Sequence, residues 1–442
     1  MTILESLAEN ISEEKLSKVF GVVEGISGLM ISCTGIEGTS MGSRCMIEAS
    51  NGESCEAEIV GYKNKRILLM PFGTVDGIGP GDKVYSVSDS PTLAVNNSYI
   101  GRVIDGLARP VDDKGPLAPG GQKMLLRAPA PLASRRNLVE GKLDVGVKAI
   151  NSFLTMCNGQ RMGIFSGSGV GKSVLMSMIA RYTEAEVNVI GLIGERGREV
   201  NEFIEQQLGA EGLRKSVIVV ATGDEPPLMR RQAAYTTMAI AEYFRDCGFK
   251  VMLLMDSLTR FAIAQREIGL SAEEPPTTRG FTPSVFSELP RLLERAGPGT
   301  DKGSITAIFT VLVEGGDMDE PIADAVRGIV DGHIVLERSL AERGHFPSIN
   351  ILKSISRMVP QCLEMEEYAV LRKAKEILST YSDMEELIRL GAYKKGSDRQ
   401  VDLAIEYYPK LEKFLQQGMN EHSTLEESFA KLSEILAPIM GD

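Results

Sequence analysis

The run Arg161-Met-Gly-Ile-Phe-Ser166-Gly167-Ser168-Gly169-Val170-Gly171-Lys172-Ser173 restricts the folds open to this chain more than any other feature. An apolar, β-rich segment ends in a glycine-rich bend, and a helix-forming segment opens directly after it. This is the context in which backbone amides surround phosphate oxygens. Glycines let the chain turn its N–H groups inward, and the helix N-terminus adds partial positive charge. Lys172 is then placed to reach the β- and γ-phosphates, and the Ser173 hydroxyl to hold Mg²⁺. Ser166 stands where the G-x-x-x-x-G-K-[ST] pattern has its first glycine, and a serine there requires a negative φ. The alternative is a glycine-rich turn in an ordinary βα unit.

Between about 145 and 340, apolar runs at Met162–Phe165, Val187–Ile193, Val217–Ala221, Val251–Met255 and Ile305–Val313 alternate with helix-forming stretches. Strands apolar throughout are covered on both faces, so the pattern predicts an α/β core with a parallel sheet. Neighbouring parallel strands present their C-terminal ends to one ligand crevice. Val251–Met255 leads into Asp256, either the Mg²⁺-side carboxylate or a helix N-cap. The Val189–Ile193 segment leads to Glu195, an acid able to position an attacking water. Its alternative is a surface pair with Arg196 or Arg198.

The other segments differ in character. Residues 21–91 hold short runs (Gly21–Val23, Leu29–Ser32, Cys45–Ile47, Ala57–Tyr62, Arg66–Pro71, Lys83–Ser86) separated by Gly, Asn and Ser, which predicts a small β-barrel. The nucleotide domain is expected over 92–360, entered through a crossing segment rich in proline and glycine. Residues 361–442 read as a helical domain, with Leu425, Phe429, Leu432 and Leu436 on one face; Pro409, Gly391 and Gly396 are expected to break it into several helices. Residues 1–20 carry Leu4, Leu7 and Ile11 at helical spacing, a helix that either packs on its own domain or docks a partner.

Lys and Arg total 48 against 60 Asp and Glu, a net charge of -12, which argues against a dedicated nucleic-acid binder. No run reaches the roughly 18 apolar residues that span a bilayer. Met1–Glu5 lack the basic and apolar regions of a secretory signal, so a cytoplasmic location is expected. Cys33, Cys45, Cys55, Cys157, Cys247 and Cys362 form no C-x-x-C pair, and the three histidines offer no zinc spacing. Reduced, mostly buried thiols are expected.

Taken together, the loop Ser166–Ser173, the run Gly194-Glu195-Arg196-Gly197-Arg198-Glu199 and Asp256-Ser-Leu-Thr-Arg260-Phe261 resemble the rotary-type ATPases, relatives of the catalytic and non-catalytic subunits of ATP synthase. Within that group the chain is similar to the flagellum-specific type III export ATPases. Gly248-Phe-Lys, Pro275-Pro-Thr-Thr-Arg279-Gly-Phe-Thr-Pro283-Ser-Val-Phe286 and Glu320-Pro-Ile-Ala-Asp324-Ala-Val-Arg327-Gly-Ile-Val-Asp-Gly-His333-Ile-Val-Leu carry that likeness. It covers roughly residues 20–440 and is densest between 145 and 360.

The resemblance implies a β-barrel, a RecA-like P-loop core with a parallel sheet, and a helical domain, assembled as a homohexamer with ATP at the subunit interfaces. It implies nucleotide contacts from Gly167, Ser168, Gly169, Val170, Gly171, Lys172, Ser173 and Val174, Mg²⁺ held by Ser173 and Asp256, and catalytic roles for Lys172 and Glu195. Ser354-Ile-Ser356-Arg357 resembles the segment carrying the arginine finger, the cation one subunit inserts into its neighbour's site. Phe346 stands where the catalytic ATP synthase subunit has an aromatic stacked on adenine; a core phenylalanine is the alternative. Non-catalytic relatives have glutamine in place of Glu195. A chain carrying both Glu195 and Arg357 is therefore able to supply both halves of each site.

The activity implied is ATP hydrolysis that energises protein export for flagellum assembly. Implied partners are an export regulator protein at the N-terminal helix, a central stalk protein, the export gate, and export chaperones with their substrates. No nucleic acid is expected, and membrane contact is expected to be peripheral, at the cytoplasmic face of the inner membrane. A virulence injectisome ATPase is the alternative within the same enzyme class. A Rho-like nucleic-acid motor is disfavoured by the net charge and by the lack of an aromatic–basic platform in residues 21–90. A non-hydrolysing structural subunit is disfavoured by Glu195.

Overall fold

The computed structural model describes residues 19–36 and 38–440, and the counts below are of those residues. The docking helix expected over 1–20 lies outside them, save that Phe20 opens the first strand. The chain divides into two compact units.

The first unit holds the described residues to Thr92, with Glu225–Met229 and Ala264–Pro283. Phe20–Ser27, Met30–Thr34, Arg66–Pro71, Ser54–Lys63, Arg44–Glu48 and Lys83–Ser88 close, in that order, into an antiparallel barrel. Each overlaps one run read from the sequence. Alternation decides the inside: Ile31, Cys33, Cys45, Ile47, Ile59, Leu69 and Val84 line a sealed interior.

The second unit holds residues 93–224, 230–263 and 284–440 around a sheet of nine strands. Eight lie in the order Ile349–Ser356, Gly332–Leu336, Arg161–Ser166, Ser304–Leu312, Lys250–Asp256, Val187–Glu195, Ser216–Thr222, Val103–Asp105. All are parallel except Ile349–Ser356, which runs antiparallel along one edge. The short Gly297–Pro298 strand pairs antiparallel with Ser304–Leu312. The five central strands are those expected. The outer ones escape the apolar-run criterion because they are short or only half covered; Gly332–Leu336 alternates buried and intermediate positions.

Helices Met365–Arg389, Arg399–Leu415 and Leu425–Met440 place Leu371, Leu378, Leu411, Leu432 and Leu436 in one hydrophobic core with Ile150, Ile179 and Ile349. The expected break at Pro409 is not there. Pro409 lies inside Arg399–Leu415, where buried Tyr407, Leu411 and Phe414 hold the helix across the missing N–H. Gly391 and Gly396 do separate helices, with φ of 68° and 90°. Of the six free thiols, Cys33, Cys45 and Cys157 are buried, Cys55 and Cys362 are half-buried and Cys247 is exposed, fewer inside than expected. Among the described residues, no helix is long and apolar enough to cross a membrane.

Candidate nucleotide site

Four neighbouring parallel strands build the site. Arg161–Ser166, Ser304–Leu312, Lys250–Asp256 and Val187–Glu195 lie side by side, so their C-terminal ends open on one crevice. The glycine-rich loop leaves the first strand, Asp256 ends the third, and Glu195 ends the fourth.

Ser166 is the last strand residue, in register with Leu312 and Leu336. Its extended backbone is what lets a serine stand in the first glycine's place. The bend itself needs glycine twice, at Gly169 (φ 74°) and Gly171 (φ 91°). A Cβ on Gly171 would also come within 3.5 Å of the Phe346 ring. Helix Lys172–Tyr182 starts immediately, capped by Gly171. Glycine has no side-chain oxygen for the first-turn amides, which leaves them to an anion. Val174, in that turn, packs partly against the core.

The Lys172 ammonium donates to Asp256 Oδ1 and, at 3.3 Å, to Glu195 Oε1. The Thr310 hydroxyl donates to the same Asp256 oxygen at 2.6 Å. Burial pushes the Asp256 carboxyl above the ordinary carboxylate range; Lys172 opposes the rise and Glu195 adds to it. Burial raises Glu195 too, against the Lys172 charge and with a contribution from Glu199. Burial works against the Lys172 ammonium, but the two carboxylates outweigh it and its pKa is raised. The surface-pair alternative for Glu195 is not what forms. Arg196 pairs with Glu199 at 3.7 Å and Arg198 with Glu202 at 2.7 Å, both arginines facing solvent.

A hard divalent cation wants oxygen donors. The buried Asp256 carboxylate and the Ser173 hydroxyl in the first helical turn supply them at the mouth of the loop. That donor set fits Mg²⁺.

Phe346 is 46% exposed with its ring against the Gly171 side of the loop, so it is not a core residue. Arg357 is the one expected site residue that the structure keeps away. Ser356 pairs with Gly332, and the adjacent His333 pairs with Gly163, three residues before Ser166. At ~3.3 Å per residue, Arg357 starts roughly 10 Å or more down the sheet from the loop of its own chain. Its side chain is exposed.

Three contacts were not legible in advance. Thr310 was visible only as a polar residue within the apolar Ile305–Val313 run. Ser348 and Arg338 bond the loop's carbonyls from a distant segment, and no local pattern marks either.

Comparison with known proteins agrees with this architecture. The model of the ATP synthase alpha/beta family nucleotide-binding domain matches residues 146–356, and that of its beta-barrel domain residues 23–87. The model described as T3SS EscN ATPase C-terminal domain matches residues 363–434. The chain is 52% identical to the flagellum-specific ATP synthase of Caulobacter vibrioides over 95% of this chain and 96% of that one. It is likewise 52% identical to the flagellum-specific ATP synthase of Bacillus subtilis, over 98% of each. Among solved structures it matches the assembled ATPase EscN of the enteropathogenic E. coli type III secretion system, in complex with its central stalk EscO. The TM-score is 0.87 and the identity 41%, over 94% of this chain and 100% of that one.

Proposed function

Because the chain belongs to the ATP synthase alpha/beta family and is an ATP hydrolase of the type III export class, we propose that it hydrolyses Mg-ATP in the Lys172 crevice to energise protein export for flagellum assembly. The observation that carries this reading is the Lys172 ammonium held between Asp256 and Glu195 at the mouth of a bend whose positive φ at residues 169 and 171 favours glycine.

Residues 167–174 receive the phosphate tail in their amides. Lys172 turns from Asp256 to the β- and γ-phosphates, a trade of one anionic partner for another. Ser173 and Asp256 would hold Mg²⁺, which would supply charge neutralisation at the phosphates. With Lys172 withdrawn, Glu195 orients the attacking water and accepts its proton as the oxygen attacks the γ-phosphorus. The bond to the bridging oxygen then breaks, giving ADP and phosphate. Phe346 stacks on the base.

Arg357 serves a neighbouring subunit's site. Its distance from its own loop supports that reading, and with it a homohexameric ring in which each interface takes Glu195 from one chain and Arg357 from the next. The EscN–EscO complex supports a central stalk partner. An export regulator at residues 1–20, the export gate, chaperones with their substrates, and peripheral contact with the inner membrane complete the proposal. The identity of 52% to two flagellum-specific enzymes, against 41% to EscN, favours the flagellar machine over an injectisome.

Phosphate release from Mg-ATP tests the reading. The wild-type chain turns over, and Lys172→Ala loses at least about 10²-fold, the scale of removing one electrostatic contact to the transferring group. Equal turnover by the variant overturns the site.

A further inference from the structure

A loop that cradles phosphate must hold its N–H groups inward, so its carbonyls need partners outside. Three carbonyls of this loop, at alternate positions, have them. The Ser166 carbonyl accepts Val313 N–H at 3.0 Å. The Ser168 carbonyl accepts the Arg338 guanidinium at 3.1 Å. The Val170 carbonyl accepts the Ser348 hydroxyl at 2.6 Å. A trans peptide points its C=O and its N–H in opposite directions. Fixing these three carbonyls therefore fixes the N–H groups of Gly167, Gly169 and Gly171 on the other side.

The three anchors are not equal. Val313 N–H is part of the sheet and comes with the fold. Arg338 is exposed, and its long side chain is free to leave. Ser348 and Val170 are each only 1% exposed, so no water replaces the hydroxyl if it is lost. Ser348 is itself fixed, since its carbonyl accepts Glu337 N–H at 2.9 Å. It also lies two residues after Phe346, whose ring rests against Gly171. One short segment thus braces the loop from behind and presents an aromatic beside it.

We infer that Ser348 is a positioning residue for triphosphate binding: its buried hydroxyl locks the Val170–Gly171 peptide so that the Gly171 amide faces the bend before any nucleotide arrives. Arg338 is the exposed auxiliary at Ser168. The inference rests on the loop being the phosphate site. Gly171, at φ 91°, is also the residue where an unanchored peptide has most freedom to flip.

The test measures KM and kcat for Mg-ATP, ADP affinity by titration, and melting of the nucleotide-free protein, in wild type, Ser348→Ala, Ser348→Thr, Arg338→Gln and Lys172→Ala. Ser348→Ala should raise KM and the ADP Kd about three- to tenfold, the scale of one buried hydrogen bond, with kcat within about twofold. Ser348→Thr, which keeps the hydroxyl, should restore most of the affinity. Arg338→Gln should weaken binding by about twofold or less, as an exposed contact does. An unchanged KM in Ser348→Ala overturns the inference. So does a Ser348→Thr variant that binds as poorly as Ser348→Ala while melting lower, which marks a packing role only. Lys172→Ala separates the two levels. If it binds ADP normally, the site reading fails and takes the inference with it; if it binds poorly while Ser348→Ala binds normally, only the role of Ser348 is lost. Should Ser348→Ala not fold, Ser348→Cys, close in size but a weak hydrogen-bond donor, takes its place: a KM raised above that of Ser348→Thr supports the bracing, and a wild-type KM overturns it.

Discussion

Lys172 is shared between the buried Asp256 and the half-buried Glu195, and each of the three groups depends on the others for its charge. Without the ammonium, Asp256 and Glu195 would face each other in a poorly solvated crevice; their raised pKa values record the cost of keeping both ionised there. Glu195→Gln keeps the shape and removes the base. It should bind ATP and hydrolyse it at least about 10²-fold more slowly, measured as phosphate release beside nucleotide affinity. Loss of affinity instead would show a structural role. The same shift sets a pH dependence. Glu195 must be deprotonated to accept a proton, and its pKa is raised, so kcat/KM should fall with decreasing pH at a point above the ordinary glutamate range, and Glu195→Gln should abolish that limb. At this scale the sequence was informative wherever chemistry demands one residue type at one spacing: Lys172, Ser173, Glu195 and Asp256 all fall in one crevice. It was silent on Thr310 and Ser348, hydroxyl residues whose work depends on a partner 54 positions away for one and 178 for the other.

Elements formed where local rules agree with burial. The Ser166–Ser173 bend follows a strand, needs positive φ at two glycines and opens a helix, all stated by adjacent residues. Helix Arg399–Leu415 shows a start signal of the same kind. Asp398 is its N-cap, and its carboxylate accepts Gln400 N–H at 2.7 Å and Val401 N–H at 3.3 Å. Asp398→Ala should cost about 1 kcal/mol and Asp398→Asn much less, read from the shift in the denaturation midpoint with activity unchanged. Equal midpoints for wild type and Asp398→Ala would mean the helix is held by its buried face alone. Pro409 shows the limit of such rules: as a local signal it reads as a break, yet Tyr407, Leu411 and Phe414 are buried around it and the helix runs on. The Ile349–Ser356 strand was missed for a related reason. Its covering is uneven, so neither an apolar run nor strict alternation marks it.

The whole molecule divides the proposed catalytic groups between opposite ends of one sheet. The loop, Asp256 and Glu195 occupy the C-terminal ends of the parallel strands, whereas antiparallel Ile349–Ser356 carries Arg357 back to the other end. Arg357→Ala should therefore be inactive alone, and so should Glu195→Gln. Mixed rings should regain activity, because a Glu195 from one variant meets an Arg357 from the other at about a quarter of randomly formed interfaces. No recovery in verified mixed rings would place the action of Arg357 within its own chain. Specific activity should also rise with protein concentration if the site is completed by assembly.

The residues proposed to grip a phosphate tail are consecutive or end predictable strands, so their identity and their place at one crevice follow from spacing and local backbone preference. The six short runs that become the barrel are legible for the same reason, since a period of two is a local property. What depends on long-range pairing is not. The antiparallel return of Ile349–Ser356, which sets Arg357 apart from its own loop, and the approach of Phe346 and Ser348 to the back of that loop follow from how the sheet closes and what packs on it. The strand register and the shared core decide these distances, and no run of neighbouring residues encodes them.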